Sequence, residues 1–262
     1  MTKMIDGSSK ILFIMAGLLV AVLFFQLPCS EGAMKFRYMT SIYADDEGLG
    51  LKQPEGVACG GESMLMVADT GNGRLLRYSM KEGAIEGGTV EIKAEQLPYP
   101  IKTEINSRGE IYILDRKQRS IVRFSAAGEF RGYLQPVGLP SPTAYVPRSF
   151  TLDKNDNIYI LDILSERVLI LDPAGRYLRQ IKFPDEYGFF SDVAMGFKET
   201  VLVIDVVDGM VFSAGKNAAS FSRLSSSLKE YVRFPANLTT DDRGRIYLVD
   251  RNGGSIIILG QQ

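Results

Sequence analysis

The stretch Ile158-Tyr-Ile-Leu-Asp162 places four apolar residues directly in front of an aspartate. Four variants of it occur elsewhere in the chain, and the five closing aspartates lie 46, 47, 43 and 45 residues apart. The other four are Met64-Leu-Met-Val-Ala-Asp69, Ile111-Tyr-Ile-Leu-Asp115, Val201-Leu-Val-Ile-Asp205 and Ile246-Tyr-Leu-Val-Asp250. Strand-like units with a period in the forties are typical of a β-propeller or a similar β-array. The repeat therefore predicts a single all-β domain.

Each copy also carries the turns that a four-stranded blade needs. In the third copy Pro147 precedes a first apolar run, and clusters of Asp, Asn, Gly and Pro lie between the runs that follow. Such clusters between β-branched runs are characteristic of hairpins. The second run is apolar on both faces, which is typical of a strand that is covered on both sides. The predicted strands of this copy are residues 149–153, 158–162, 168–172 and 177–181.

The first copy continues as Val67-Ala-Asp-Thr-Gly-Asn-Gly-Arg-Leu75. This stretch resembles the NHL-repeat family, in which a strand is followed by Ala-Asp and then by a Gly-Asn-x-Arg turn. The resemblance extends over about residues 54–262, and Arg167 keeps the arginine in the third copy. In the remaining copies the arginine is replaced by Ser120, Met210 and Ser255. The resemblance implies a β-propeller of the NHL type, a class that more usually has six blades.

The last copy lacks a fourth strand after Ser255-Ile-Ile-Ile-Leu259, whereas residues 36–43 alternate suitably and belong to no other copy. We expect residues 36–43 to supply the missing strand and to protect an otherwise unpaired sheet edge. The predicted fold is an all-β propeller of five four-stranded blades, closed by this N-terminal strand, with six blades as the alternative. A sixth blade would need about 40 more residues.

Residues 11–25 form an uninterrupted apolar run that is preceded by Lys3 and Lys10. Extended through residue 28, this apolar core spans ~27 Å as a helix, between a signal-peptide core and a short membrane anchor. We expect residues 1–33 to be a signal peptide or an N-terminal membrane anchor, and residues 34–262 to be the propeller domain. Lipidation at Cys29 is a third alternative, and all three place the propeller in the periplasm or elsewhere outside the cytoplasm, anchored or secreted. Membrane contact is then made only through the N-terminal segment.

The chain contains no histidine and no tryptophan, and its net charge is −1. The missing histidine excludes Ser-His-Asp and Cys-His catalysis as well as His-ligated zinc. The small net charge provides no field that attracts nucleic acid, so no nucleic-acid partner is expected. Removal of the N-terminal segment would leave Cys59 as the only cysteine, and we expect its thiol to be buried in the core.

The repeated aspartates are candidates either for a ring of ligands or for turn residues. Asp side chains commonly accept hydrogen bonds from the N–H groups of the turn that they begin. A single site would not need a copy in every blade. We therefore interpret all five as structural turn residues: Asp69, Asp115, Asp162, Asp205 and Asp250.

Basic residues cluster in turns that follow the second strands and in one segment that leads into a blade. We expect a propeller to bind its ligand at the loops around one mouth of the channel, where a basic rim would suit an anionic ligand or an acidic partner. The alternative is that these side chains are solvated loop residues. The candidate binding residues are Arg116, Lys117, Arg119, Arg148, Arg251 and Asn252.

Acidic residues in the long loops are weak candidates for a Ca²⁺ site, because Ca²⁺ prefers carboxylate and other oxygen ligands. The candidates are Asp45, Asp46 and Asp185. Solvation alone also explains acids in such loops, and we expect no other metal or cofactor.

These observations favour a non-catalytic scaffold that binds a protein or peptide at one propeller face, and no catalytic residue is assigned. The first alternative is a cation-dependent hydrolase, lactonase or lyase on the same fold. The resemblance to NHL propellers includes amidating lyases, but their metal chemistry depends on histidine. The second alternative is a polysaccharide-binding envelope protein, which the absence of tryptophan disfavours.

Overall fold

A computed structural model describes residues 40–61, 63–82 and 84–260. The predicted signal or anchor segment, residues 1–33, lies outside these residues, as does the first half of the predicted closing strand. The described residues contain twenty β-strands in five antiparallel sheets and no α-helix. No helix in this part of the chain is long and apolar enough to cross a membrane.

The strands follow one another in chain order, and each sheet forms one blade. Blades 1 and 2 consist of β1 (Gly56–Gly60), β2 (Met64–Asp69), β3 (Arg74–Lys81), β4 (Ala84–Ile85), β5 (Val90–Ile92), β6 (Pro100–Ile105), β7 (Ile111–Asp115), β8 (Ser120–Phe124) and β9 (Phe130–Tyr133). Blades 3 to 5 consist of β10 (Pro147–Leu152), β11 (Ile158–Asp162), β12 (Arg167–Leu171), β13 (Tyr177–Lys182), β14 (Phe190–Met195), β15 (Val201–Asp205), β16 (Met210–Ala214), β17 (Ser222–Arg223), β18 (Pro235–Thr240), β19 (Ile246–Asp250) and β20 (Ser255–Leu259). The prediction of an all-β propeller with five blades is confirmed.

The blades differ in their number of strands. Blades 2, 3 and 4 have four strands each, as predicted. In blade 1 the third strand pairs with both β4 and β5, which gives five strands. Blade 5 has three strands in the described part of the chain, and β20 pairs only with β19.

The predicted closing strand differs from what the structure shows. Residues 36–39 lie outside the described residues, and residues 40–43 belong to no strand. Ile42 instead packs with Leu51 against a buried cluster of blade 1 formed by Val67, Leu76 and Tyr78. Within the described residues no other blade covers the sheet face on which these three side chains lie. Ile42 and Leu51 therefore shield apolar surface of blade 1, and residues 40–43 do not pair with blade 5.

Buried apolar clusters join consecutive blades. Between blades 3 and 4 the ring of Phe190 packs edge-on against Phe183 and Phe212, with centroid distances of 4.8 and 5.2 Å. Comparable clusters join blade 1 to 2, blade 2 to 3 and blade 4 to 5. All residues of β7, β11 and β15 are buried, because a neighbouring layer covers each face of these strands. Burial of each large apolar side chain stabilises the fold by about 1.5–3 kcal/mol.

Among the described residues no such cluster joins blade 5 to blade 1. Ile256 and Ile258 of β20 are 64% and 45% exposed, and Val57 of β1 is 65% exposed. Cys59, two residues after Val57 on the same face of β1, is exposed as well. The prediction that this thiol is buried is therefore wrong. The physical reason is that none of the blades in the described part of the chain packs on this face of β1.

The first strands of the blades, β1, β6, β10, β14 and β18, lie next to one another and are the inner strands of the propeller. Four of these five inner strands contain a β-bulge close to their first residue. The pairing register shifts between Pro100 and Lys102 in β6, and equivalent shifts occur in β10, β14 and β18. A bulge adds an unpaired residue and turns its side chain away from the regular alternation. The bulged residues are Ile101, Arg148, Ser191 and Ala236.

Candidate binding site at the channel mouth

A cavity of about 320 Å³ lies where the inner strands begin and the second strands end, and all five blades contribute to its wall. Two rings of residues line most of it. The first ring consists of Glu55 and the four bulged residues Ile101, Arg148, Ser191 and Ala236. The second ring follows directly in each of blades 2 to 5 and consists of Lys102, Ser149, Asp192 and Asn237.

The second ring is a hydrogen-bonded network that connects four blades. The Lys102 Nζ donates to Asp192 Oδ1 at 2.6 Å and to Ser149 Oγ at 3.0 Å. The Ser149 hydroxyl donates to the same Asp192 oxygen. The other carboxylate oxygen of Asp192 accepts from the backbone N–H of Leu238 at 3.0 Å and from Asn237 Nδ2 at 3.4 Å. Because the Asp192 side chain is only 2% exposed, these donors are what makes its burial tolerable.

Blade 1 has Gly56 at the corresponding position of the second ring. A Cβ atom there would lie 2.9 Å from Lys102 Cα and 3.0 Å from the carbonyl oxygen of Ile101. Both are backbone atoms and cannot move aside cheaply. The glycine therefore allows β1 to approach β6 closely, and blade 1 contributes no side chain to the network.

Glu104 lies two residues beyond Lys102 on the inner strand β6. Burial raises the pKa of this carboxyl, while the positive charge of Lys102 and a hydrogen bond with Thr151 act in the opposite direction. Glu104 does not itself line the cavity, so this effect concerns the part of β6 beyond the second ring.

Three arginines line the cavity above the second ring. Arg116 pairs with Glu55 at 2.7 Å and lies 5.1 Å from the ring centroid of Tyr99. Arg148 lies 5.6 Å from the centroid of Phe189, and its Nε is buried without a hydrogen-bond partner. Burial is the main cause that lowers the pKa of Arg148, and the positive charges of Arg116 and Arg251 lower it further, whereas the carboxylates of Asp192 and Glu55 act in the opposite direction. Cations are therefore crowded together at this mouth.

Of the six candidate binding residues, the structure brings Arg116, Arg148 and Arg251 together in one cavity wall. The other three, Lys117, Arg119 and Asn252, are exposed in the same turns but do not line the cavity. The two turn residues that line the cavity, Arg116 and Arg251, each directly follow the repeat aspartate of their blade.

The three weak metal candidates do not form one site. The Asp45 carboxylate pairs with Arg74 at 2.6 Å, and this hydrogen bond lowers its pKa. Asp45 and Asp46 line a separate cavity of about 160 Å³ with Glu91, and Asp185 does not contribute to it. Within residues 40–61, 63–82 and 84–260, no group of three or more acidic or cysteine residues is placed to hold a metal ion.

The five repeat aspartates are 0–3% exposed, and each accepts a hydrogen bond from the segment that leads into its own blade. In blade 3 the Asp162 carboxylate accepts from Val146 N at 2.9 Å, from Leu164 N at 3.1 Å and from Arg167 Nε at 3.0 Å. The same side chain thus connects the incoming segment, the turn and the third strand. None of the five aspartates lines the cavity.

The second ring was missed by the sequence reasoning, although the sequence contains a signal for it. In every copy its residue lies 13 positions before the repeat aspartate, and the first-ring residue lies 14 positions before it. Aligned on the aspartates, these two positions hold different side chains in every copy. The flanking apolar positions are similar, so divergence at fixed spacing is the feature to look for.

No family model matches the chain, and no curated protein sequence matches it. Solved structures do resemble it. A catalytically inactive histidine-to-alanine form of virginiamycin B lyase from Staphylococcus aureus, with quinupristin, has a TM-score of 0.59 at 14% identity, with 79% of this chain and 69% of that chain covered. A chain of a nidogen/laminin complex has a TM-score of 0.64 at 18% identity, with 81% and 77% covered. A gluconolactonase from Xanthomonas campestris has a TM-score of 0.60 at 14% identity, with 78% and 71% covered.

These neighbours are β-propeller proteins that include a lyase, a lactonase and a component of a protein complex. At such low identity the similarity establishes the fold alone. Because one fold carries unrelated activities, the function has to be argued from the site.

Proposed function

We propose that this chain is an NHL-type β-propeller that acts as a non-catalytic scaffold and binds a protein or peptide at the channel mouth. The single observation that carries the proposal is the cavity itself. All five blades contribute to it. Both members of the only serine–lysine pair in its wall, Ser149 and Lys102, donate a hydrogen bond to the Asp192 carboxylate. The complex that contains nidogen shows that a propeller of this general shape can engage a protein.

The assignment to the NHL type is supported by the geometry of two copies. Arg74 Nε lies 2.8 Å from Asp69 Oδ2, and Arg167 Nε lies 3.0 Å from Asp162 Oδ2. Both arginines are almost fully buried. Both occupy the position of the arginine in the Gly-Asn-x-Arg turn of the NHL repeat. The same local contact thus recurs in the two copies that keep this residue.

A hydrolase is the alternative, and the proximity of Ser149 Oγ and Lys102 Nζ at 3.0 Å is what favours it. A lysine activates a serine only as the neutral amine, which accepts the hydroxyl proton. Here the Ser149 hydroxyl donates to Asp192 instead of to the lysine, and Lys102 Nζ is the donor both to Ser149 at 3.0 Å and to Asp192 at 2.6 Å. The chain also has no histidine, whereas replacement of a histidine gives an inactive form of the similar lyase. A binding role is therefore the better supported of the two.

We place the propeller outside the cytoplasm, because the apolar core 11–28 follows Lys3 and Lys10. Protease added to cells whose outer layers have been removed, but whose inner membrane is still intact, should digest the propeller. Protection until the inner membrane is broken would refute the export of this domain.

The binding role is tested by photo-crosslinking in the cells that produce the protein. A benzophenone amino acid replaces Val249, which is 43% exposed and lines the cavity. The matched control replaces Ile258, which is 45% exposed but lies on β20 outside the cavity wall. We expect a defined protein adduct from the Val249 position alone. Equal adducts at both positions, or an ester- or lactone-hydrolysing activity that Ser149→Ala abolishes, would overturn the proposal.

A further inference from the structure

The charges of the cavity wall do not balance. Four cationic side chains line it, and two carboxylates face them. Glu55 pairs with Arg116, and Asp192 pairs with Lys102. Among the described residues, Arg148 and Arg251 have no carboxylate within ion-pair distance. The cavity wall therefore has two more positive than negative side chains, and neither Arg148 nor Arg251 forms an ion pair within the described part of the chain.

The environment of Arg148 leaves its hydrogen-bond donors available for a ligand instead of using them to stabilise the fold. The bulge in β10 directs its side chain into the cavity, and the ring of Phe189 packs against the guanidinium at 5.6 Å. Its side chain makes no hydrogen bond to any described residue, and Nε is buried. A buried donor without an acceptor destabilises a protein. A group of this kind is retained at low cost only if something else supplies the acceptor.

The chemistry of the missing acceptor follows from the donor. A guanidinium presents parallel N–H donors that match the two oxygens of a carboxylate, and stacking on an aromatic ring fixes its plane. Arg251 lines the same cavity and adds a second positive charge to it. The volume of about 320 Å³ accommodates one or two side chains of an inserted segment, not a folded domain.

We propose that the channel mouth binds a peptide carboxylate, with Arg148 as the anchoring group and Arg251 as a second, more exposed cation. This inference rests on the proposed binding function and names the chemical group that the site selects. The carboxylate belongs either to an Asp or Glu side chain or to a peptide C-terminus, and the two sources share the same chemistry at Arg148.

Four probes separate the sources by calorimetry on the purified full chain. The first is a capped hexapeptide of glutamate, the second a neutral hexapeptide with a free C-terminal carboxylate, the third the capped glutamine hexapeptide, and the fourth inorganic phosphate. We expect binding of the first or the second probe and none of the third. Binding that weakens as NaCl is raised is expected, because exposed charges such as Arg251 are screened. Phosphate binding that is tighter than carboxylate binding would overturn the ligand class.

Three variants test the residues. Arg148→Gln should weaken carboxylate binding by at least about tenfold, because hydrogen bonds to charged groups are lost at the anchor. Arg251→Gln should weaken it by a smaller factor. The matched control is Arg131→Gln, which removes the same charge from an exposed arginine that pairs with Glu129 outside the cavity. Unchanged binding in Arg148→Gln, or equal weakening in Arg131→Gln, would refute the role of the mouth.

The melting temperature of the unliganded variants provides an independent readout. If Arg148 serves the ligand, Arg148→Gln should melt at the same temperature as the parent or above it, because an unsatisfied buried donor and a crowded charge are removed. A clear decrease in melting temperature would assign the guanidinium to the fold and overturn the inference. If the parent protein binds neither carboxylate peptide but still gives the crosslink at Val249, this inference alone is refuted. If the parent protein gives neither, the proposed function is refuted as well.

Discussion

At the scale of single residues, the repeat aspartates show how one side chain stabilises three segments. Asp162 is fully buried and accepts hydrogen bonds from the incoming segment, from its own turn and from Arg167. A charge this deep is stable only because its partners are fixed by the surrounding strands. The contribution of this aspartate to stability therefore depends on the whole blade, which holds its hydrogen-bond partners in place.

Replacement of Asp162 by asparagine should destabilise the protein by about 3–5 kcal/mol, because it leaves the Arg167 guanidinium buried without a countercharge. Urea denaturation followed by circular dichroism measures the change. The matched control is Asp185→Asn, an exposed acid without a hydrogen bond among the described residues, for which a change within about 0.5 kcal/mol is expected. Equal effects of the two substitutions would show that the Asp162–Arg167 pair contributes nothing.

The candidate site could be predicted in part at this scale. The sequence indicated Arg116, Arg148 and Arg251, which the structure places in one wall. It also indicated Lys117 and Arg119, which lie in the same turn and face solvent. Side-chain direction in a turn depends on backbone dihedrals that a residue type does not fix, so charge alone did not separate the two groups.

At the scale of secondary-structure elements, the inner strands position the site. Their bulges turn one side chain per blade into the mouth, and the next residue of each strand forms the polar network. Close packing of β1 on β6 at Gly56 completes the wall. The site is thus built on strands, which hold side chains more rigidly than the outer loops do.

Gly56→Ala should destabilise the fold by about 1–3 kcal/mol, because the new methyl group would press on backbone atoms of β6. Gly215→Ala is the matched control, since a Cβ there meets nothing within 4 Å and its backbone needs no left-handed conformation. The control should be neutral or more stable by a few tenths to about 1 kcal/mol. Thermal melts of both variants measure the difference, and an equal shift would mean that the β1–β6 approach is not tight.

At the scale of the whole molecule, the blades follow one another through four apolar interfaces, and the face between blade 5 and blade 1 differs from the others. The exposed side chains of β20 and of Val57 mark it.

The stability of the molecule in acid is a second property that belongs to this scale, because it depends on carboxylates spread over several blades.

We expect the stability to fall as the pH decreases from about 4 to about 2. Burial alone would raise the pKa of Asp241, but hydrogen bonds from Arg245 and Tyr247 lower it to about 2. A carboxyl with a lowered pKa in the folded state contributes stability above its unfolded value of 3.8, and this contribution is lost as the pH falls through the folded value. Other carboxyls with lowered pKa values are Asp45, Glu110, Asp172, Glu199 and Asp250.

Melting temperatures at pH 7, 4, 3 and 2 measure this dependence. Asp241→Asn should flatten the curve between pH 4 and pH 2, and Asp185→Asn serves as the exposed control. A parent protein that melts at the same temperature at pH 4 and pH 2 would contradict the prediction.

The sequence by itself determined the five-bladed all-β architecture, because apolar runs, turn residues and a fixed period are local properties that repeat in the chain. It also located the five repeat aspartates as structural turn residues, and three arginines of the channel mouth, Arg116, Arg148 and Arg251. Only the tertiary structure decided that Lys102, Ser149, Asp192 and Asn237 form one network, that Cys59 is exposed and that Ile42 packs on blade 1. These features depend on bulges and on which sheet faces meet, and both are set by contacts between blades rather than by neighbours along the chain.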